Sequence, residues 1–248
     1  MLPIFPITQE ANLHIQKKLQ DVAHEHNVKI LLAVESGSRA WGFPSKDSDY
    51  DVRFIYARPK DSYLSVKDYR DVIETPLLHD DVLGVPLDFN GWDIRKALQL
   101  AMKSNPVLIE WLVSPIRYDY NVEATDRLLD FAKKTANIQA FHYHYDRLAR
   151  NAWEQIQQNA EQVKIKLYCY ALRPVLSSQW ILQYNQTPPM DISALCKGVI
   201  KEIVLLEEID RLIRLKATAN EGDIVQRNVM LDAHITSILE HKAERASE

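Results

Sequence analysis

Apolar positions along this chain follow two different periods, and the change from one to the other falls near residue 120. Over residues 7–27, Leu13, Ile15, Leu19 and Val22 recur at roughly helical spacing behind Thr8, a residue type suited to an N-cap, so the pattern predicts a helix. Residues 28–34 form a short aliphatic run expected to be a buried strand. Residues 49–57 alternate, with Val52, Phe54 and Tyr56 on one face and Asp49, Asp51 and Arg53 on the other, which is a strand signature. A hairpin is expected between Asp71 and Phe89, with arms at 71–75 and 82–89 and its turn near His79-Asp80-Asp81. Asp93 then reads as the N-cap of a helix to about Lys103, with Leu98 and Met102 facing inward. Asn105-Pro106 interrupts it and opens a second short helix through Trp111 and Leu112, which Ser114-Pro115 ends.

Helical periodicity then takes over, across 124–135, 140–163, 164–184, 192–197, 198–219 and 223–242, with a break at Gln186-Thr187-Pro188-Pro189. No internal repeat or low-complexity tract interrupts this order. The expected organisation is therefore α+β: a mixed domain over residues 1–118 followed by an all-α domain over residues 119–248.

Composition narrows the class without naming a function. Hydrophobic residues make up 46% and charged residues 26%, enough apolar surface for a core that needs no disulfide or metal. Cys169 and Cys196 stand far apart in no ligand-spacing pattern and read as small core residues of a reducing compartment. The N-terminal residues lack the basic and apolar segments of a signal peptide, and no apolar run reaches membrane-spanning length, so the expected location is cytoplasmic with no membrane partner. The net charge of −4 excludes a global basic field, so any nucleic acid would have to be held by a local patch.

The candidate chemistry lies between residues 36 and 52. Gly37-Ser38 follows the aliphatic strand, and Asp49 and Asp51 then open the alternating one. Residues two apart on a strand point to the same face, so the two carboxylates project together. Hard divalent cations take oxygen ligands, and magnesium is usually held by one or two carboxylates plus substrate phosphates. Backbone N–H groups at a helix start after Gly37-Ser38 suit a phosphate. A third acid would complete a two-metal centre. Asp88, between Leu87 and Phe89 in a strand-like segment, is the choice, because Asp93 is explained as an N-cap and Asp80-Asp81 as a turn.

The run Gly37-Ser38-Arg39-Ala40-Trp41-Gly42, continuing to Ser48-Asp49-Tyr50-Asp51, resembles the signature of the DNA polymerase β nucleotidyltransferase superfamily. Asp88-Phe89-Asn90-Gly91-Trp92-Asp93, Lys103-Ser104-Asn105-Pro106, Glu110-Trp111-Leu112, Ser114-Pro115 and Tyr168-Cys169-Tyr170-Ala171-Leu172-Arg173-Pro174 narrow the resemblance to the group typified by the YcgL and RlaP proteins. It spans about residues 30 to 185. It implies a small mixed sheet flanked by helices, with a helical domain closing over a nucleoside triphosphate. Asp49 and Asp51 would bind two magnesium ions, with manganese as a substitute. Asp88 would help bind the catalytic ion and activate the attacking hydroxyl, and Gly37 and Ser38 would contact the β- and γ-phosphates.

Basic residues should support the triphosphate. Lys166 and Arg173 lie seven apart with Tyr170 between them on the same helix side, and the superfamily resemblance nominates these three as a nucleotide clamp. The alternative is a solvated basic face with a buried tyrosine. Arg39 is a further phosphate candidate, and both it and Arg53 could instead pair with an acid. His142 and His144, two apart in a helix, face away from each other and do not form a chelating pair. The tryptophans read as core anchors, except Trp41 in the phosphate loop; nothing decides whether Glu110 is functional. The leading expectation is transfer of a nucleotide to an RNA end, as the RNA-repair branch of the resembling group suggests. Nucleotidylation of a protein or small molecule is the enzymatic alternative, and a catalytically silent nucleotide-binding partner subunit is the alternative of another class.

Overall fold

The computed structural model describes residues 6–158 and 161–245. It divides into two compact units, one made of Pro6–Ala40 and Asp49–Ala136, the other of Trp41–Ser48 and the described residues from Asn137 onward. Residues 41–48, within the segment between Gly37-Ser38 and Asp49, thus belong with the helices, although the chain on either side of them belongs with the sheet.

The first unit runs α1 (Gln9–Glu25), β1 (Lys29–Glu35), α2 (Gly37–Trp41), β2 (Tyr50–Ala57), α3 (Lys60–Leu64), β3 (Val72–Glu74), β4 (Leu78–Asp80), β5 (Val85–Asp93), α4 (Ile94–Met102), α5 (Pro106–Val113), β6 (Arg117–Tyr120) and α6 (Val122–Thr135), with Trp41 itself falling in the second unit. Thr8 caps α1 by accepting from Ala11 N at 3.2 Å. The strands form one mixed sheet in the order β3-β5-β2-β1-β6, with β4 also paired to β5; β2 and β5 are parallel and the other pairs antiparallel. The expected hairpin is therefore a three-stranded arrangement in which β5 pairs with both β3 and β4 and continues into the centre of the sheet.

Alternation decides the layers. Val52, Phe54, Tyr56 and Phe89 pack with Ala11, Ile15, Leu19 and Val22 of α1. Trp92, on the opposite face of β5, stacks on Trp111 of α5 with ring centroids 3.6 Å apart. Asp93 caps α4 through Arg95 N at 2.8 Å. The inward face of α4 is corrected from the sequence expectation: Ala97 and Ala101 are buried, whereas Leu98 is half exposed and Met102 is 68% exposed. Small residues let the helix approach the sheet closely, and a larger apolar neighbour on the outer face does not alter that.

The second unit contains α7 (Ile138–Gln157), β7 (Gln162–Lys164), α8 (Ile165–Tyr184), α9 (Ile192–Val199), α10 (Ile203–Thr218), β8 (Ile224–Gln226) and α11 (Val229–Arg245). It is not purely helical, because β7 and β8 pair antiparallel. Its core gathers Phe43, Ile156, Tyr168, Leu172, Leu176, Leu195 and Ile209. Cys169 and Cys196 are both free and buried, and burial pushes each thiol up to about 12. No helix among the described residues is long and apolar enough to cross a membrane.

Candidate functional site

The parallel pairing of β2 and β5 sets Asp51 directly opposite Asp88. Adjacent strands lie about 4.8 Å apart, so two carboxylates in register on one face meet. Arg53, two residues along β2, shares that face, and its Nη2 donates to Asp51 Oδ1 at 2.6 Å and to Asp88 Oδ2 at 2.7 Å. Asp49 stands just before β2. Burial pushes the Asp51 carboxyl up to about 6, Arg53 works against that shift, and the negative charges of Asp49 and Asp88 add to it. The three acids named from sequence are thus brought close enough to feel one another, with one guanidinium bridging two of them.

Gly37 faces the same group. Its φ is +58°, and a Cβ placed there would lie 1.9 Å from Asp51 Oδ2. Glycine is required twice over, for the left-handed backbone and for the approach of the carboxylate. Ser38 follows, buried at the start of the five-residue α2. Arg39 ties this turn to the next strand: its Nε donates to the Asp49 carbonyl at 3.0 Å and its guanidinium lies 3.9 Å from the Tyr50 ring centre.

Beneath this surface sits a residue that the sequence reading did not single out. Glu35 ends β1 at 0% exposure, accepts from the Asp51 backbone N at 2.9 Å, and accepts from the Tyr118 hydroxyl of β6. Burial pushes its carboxyl up to about 8, against the hydrogen bonds from Tyr118 and Asp51. Ser114 Oγ donates to the Glu35 carbonyl at 2.7 Å. The available signal was an acid closing an otherwise aliphatic strand one residue before the Ser36-Gly37 turn.

Among the described residues, no group of three or more His, Cys, Asp or Glu side chains is drawn together tightly enough to hold a metal ion. The all-carboxylate oxygen donors suit a hard divalent cation in type and charge. Arg53 is the cation that bridges two of them here.

In the helical unit, Lys166, Tyr170 and Arg173 share one side of α8. The Lys166 Nζ lies 6.0 Å from the Tyr170 ring centre and forms an ion pair with Glu221 at 2.9 Å. Tyr170 meets Trp41 edge-on at 5.6 Å. Arg173 is buried, donates from Nε to the Met190 carbonyl at 2.9 Å, and lies 4.6 Å over the Trp41 ring. The Trp41 indole N–H is buried without a hydrogen-bond partner among the described residues. Glu221 also takes Lys216, which is 1% exposed, and both Ser45 and Ser48. His142 is buried against Ser178 Oγ at 2.8 Å, while the His144 ring lies on Tyr145, so the two do not converge. Glu110 is buried in α5.

Comparison with known proteins adds the following. The RlaP family, described as an RNA repair pathway DNA polymerase beta family, matches residues 11–248. The protein YcgL of Bacillus subtilis (strain 168) is 42% identical over 231 residues, covering 93% of this chain and 86% of YcgL. Among solved structures, a nucleotidyltransferase-like protein from Exiguobacterium sibiricum 255-15 matches at 9% identity with a TM-score of 0.33, over 92% of this chain and 75% of its own. Spectinomycin adenyltransferase AAD(9) from Enterococcus faecialis, solved with ATP and spectinomycin, matches at 11% identity with a TM-score of 0.44, over 92% of this chain and 98% of its own.

Proposed function

The chain belongs to the RlaP family, the RNA repair pathway DNA polymerase beta family, and from that premise we propose that it moves a nucleoside monophosphate from a nucleoside triphosphate to the hydroxyl at an RNA end. The observation that carries this reading is the register of Asp51 against Asp88 with the Gly37 backbone pressed against Asp51. Carboxylates on two paired strands and the backbone turn that opens α2 meet there.

Each residue then has a task. The acceptor oxygen bonds to the α-phosphorus as the bond from that phosphorus to the pyrophosphate oxygen breaks, and the electron pair leaves with pyrophosphate. The hydroxyl proton passes to the Asp88 carboxylate. Magnesium held by Asp49, Asp51 and Asp88 would neutralise charge on the triphosphate and on the leaving group. Backbone N–H groups of Gly37 and Ser38 hold the β- and γ-phosphates, and Arg39 fixes the turn that presents them. Lys166, Tyr170 and Arg173 are proposed as nucleotide contacts of the helical unit; the orphan indole N–H of Trp41 beside the latter two supports that assignment. Catalysis of this kind rests on positioning and charge compensation and needs no covalent nucleophile.

The test incubates the protein with magnesium, each α-labelled nucleoside triphosphate and, in parallel, an RNA pool, cell-extract protein or no acceptor. Label on RNA that disappears in Asp49→Ala/Asp51→Ala supports the reading. Label on protein moves the acceptor to a polypeptide hydroxyl. No label and no pyrophosphate would overturn transfer itself.

A further inference from the structure

The sheet-bearing unit has a polar cleft of about 320 Å³ at the far ends of the same two central strands. Its lining includes Arg58, Lys67, Arg70, Arg95 and Lys96, five cations against three carboxylates, in a chain of net charge −4. Two of those carboxylates have structural duties. Asp93 accepts from the Tyr63 hydroxyl at 3.0 Å and caps α4, and Asp71 takes Lys96 at 3.0 Å. Arg58 reaches Asp93 only at 3.9 Å, and its buried Nε has no hydrogen-bond partner among the described residues. Arg70 also pairs with Glu74 beside the lining, and with that acid counted five cations still stand against four carboxylates, so the net excess is positive and the Arg58 Nε donor is unspent.

An aromatic platform stands among these cations. The exposed Tyr69 ring has the Arg58 guanidinium 5.0 Å and the Lys67 ammonium 5.4 Å from its centre. Arg95 lies 6.0 Å from the Tyr63 ring in the same cleft. A lone phosphate would use the cations and leave the rings idle. A single-stranded nucleic acid offers both a charge at every nucleotide and a π-face at every base, which is the pairing of groups that such grooves recognise. The placement fits as well. Asp51 pairs with Asp88 and Tyr56 with Asp93, five residues further along. At about 3.3 Å per residue the cleft lies about 17 Å from the carboxylates, a span that a few nucleotides cover.

We propose that this cleft holds the acceptor RNA strand a few nucleotides back from its reacting end, its cations on the phosphodiester backbone and Tyr69 under a base. The inference rests on the RNA-end reading above and names how that acceptor is recognised. It gives an acidic chain the local basic patch that nucleic-acid binding demands.

The test measures fluorescence anisotropy of a fluorescein-labelled ten-nucleotide RNA with the full chain across a salt series, together with kcat/KM for that RNA and for a dinucleotide acceptor. Lys67→Gln/Arg70→Gln alters two exposed side chains; it should weaken the ten-nucleotide RNA about tenfold and flatten the logarithmic salt slope by about 1.4, two contacts at about 0.7 each. Tyr69→Ala should weaken binding about tenfold through lost stacking while leaving the slope unchanged. The preference for the longer acceptor over the dinucleotide should fall by the same factors. Wild-type affinity, slope and acceptor preference in both variants would overturn the cleft assignment alone, with RNA labelling intact. Binding that depends on these residues without label on RNA would support the cleft and overturn the acceptor reading. No binding and no label on RNA would overturn both.

Discussion

Two acid-centred clusters in this protein are treated in opposite ways. On the β2/β5 face Arg53 bridges Asp51 and Asp88, yet burial, with the charges of Asp49 and Asp88 added, raises Asp51 to about 6, and burial raises the neighbouring Glu35 to about 8. In the helical unit, Glu221 alone receives Lys166, Lys216, Ser45 and Ser48, and these hydrogen bonds outweigh its burial and hold its carboxyl at about 2. Burial is the largest cause in the first cluster, the charges of Asp49 and Asp88 add to it at Asp51, and Arg53 and Arg39 do not bring that carboxyl back to its ordinary value. The second is self-sufficient. It pins Ser45 and Ser48 of the 41–48 segment to α10 and to the turn that follows it, with Lys166 as a further ion-pair partner.

The strongest way to break this comparison is to neutralise one member of the first cluster. Under the proposed function, Asp51→Asn should lower nucleotidyl transfer about a thousandfold or more, because one of the carboxylates that would hold magnesium is lost. Its midpoint in urea should stay level or rise, since a repelled and buried charge has been removed. Transfer within tenfold of wild type would show that the crowding has no catalytic purpose.

The second cluster should answer in the other currency, stability. Glu221→Gln strands the buried Lys216 ammonium, a loss of about 3 kcal/mol in urea denaturation. Adding Lys216→Met should restore much of it, because an apolar side chain then replaces the orphaned charge. A double variant as unstable as the single one would mean that Lys216 does not depend on Glu221.

These two clusters were unequally legible in the sequence. Asp49 and Asp51 announce themselves by period-two alternation, and Asp88 by being an acid inside an apolar strand. Both signals are local, and the β2/β5 register merely brings them together. Glu35 carries only the weaker signal of an acid at a strand end, because its burial depends on Tyr118 arriving from β6 long after β1 has been read. Lys216 looks like any polar position on a helix until Ser45 and Glu221 close over it from elsewhere in the chain. The β7/β8 ribbon was missed for a related reason: two three-residue segments far apart in sequence carry too few positions for alternation to show, and the pairing partner decides. Lys166 was recognisable as one side of α8, but the sequence could not say that Glu221 already engages it.

The subtlest expected difference is in pH, where the two clusters should slope in opposite directions. Glu35 ordinarily titrates near 4.5 and is raised to about 8 in the folded chain. The folded state therefore holds this proton more tightly than the unfolded one, so its contribution is complete below 4.5 and is lost as pH rises towards 8. Glu221 is lowered from 4.5 to about 2, so its contribution is present above 4.5 and is lost as pH falls towards 2. Glu35→Gln mimics the protonated acid and keeps an acceptor for the Asp51 N–H. With a chelator present to exclude divalent ions, wild type should lose about 2 kcal/mol relative to Glu35→Gln between pH 5 and pH 8, less than the full shift because water follows a charging group inward. Below pH 4 the two proteins should fall together, since the Glu35 contribution is then complete and both keep Glu221. Parallel stability curves through the alkaline limb would mean that burial does not penalise the Glu35 carboxylate.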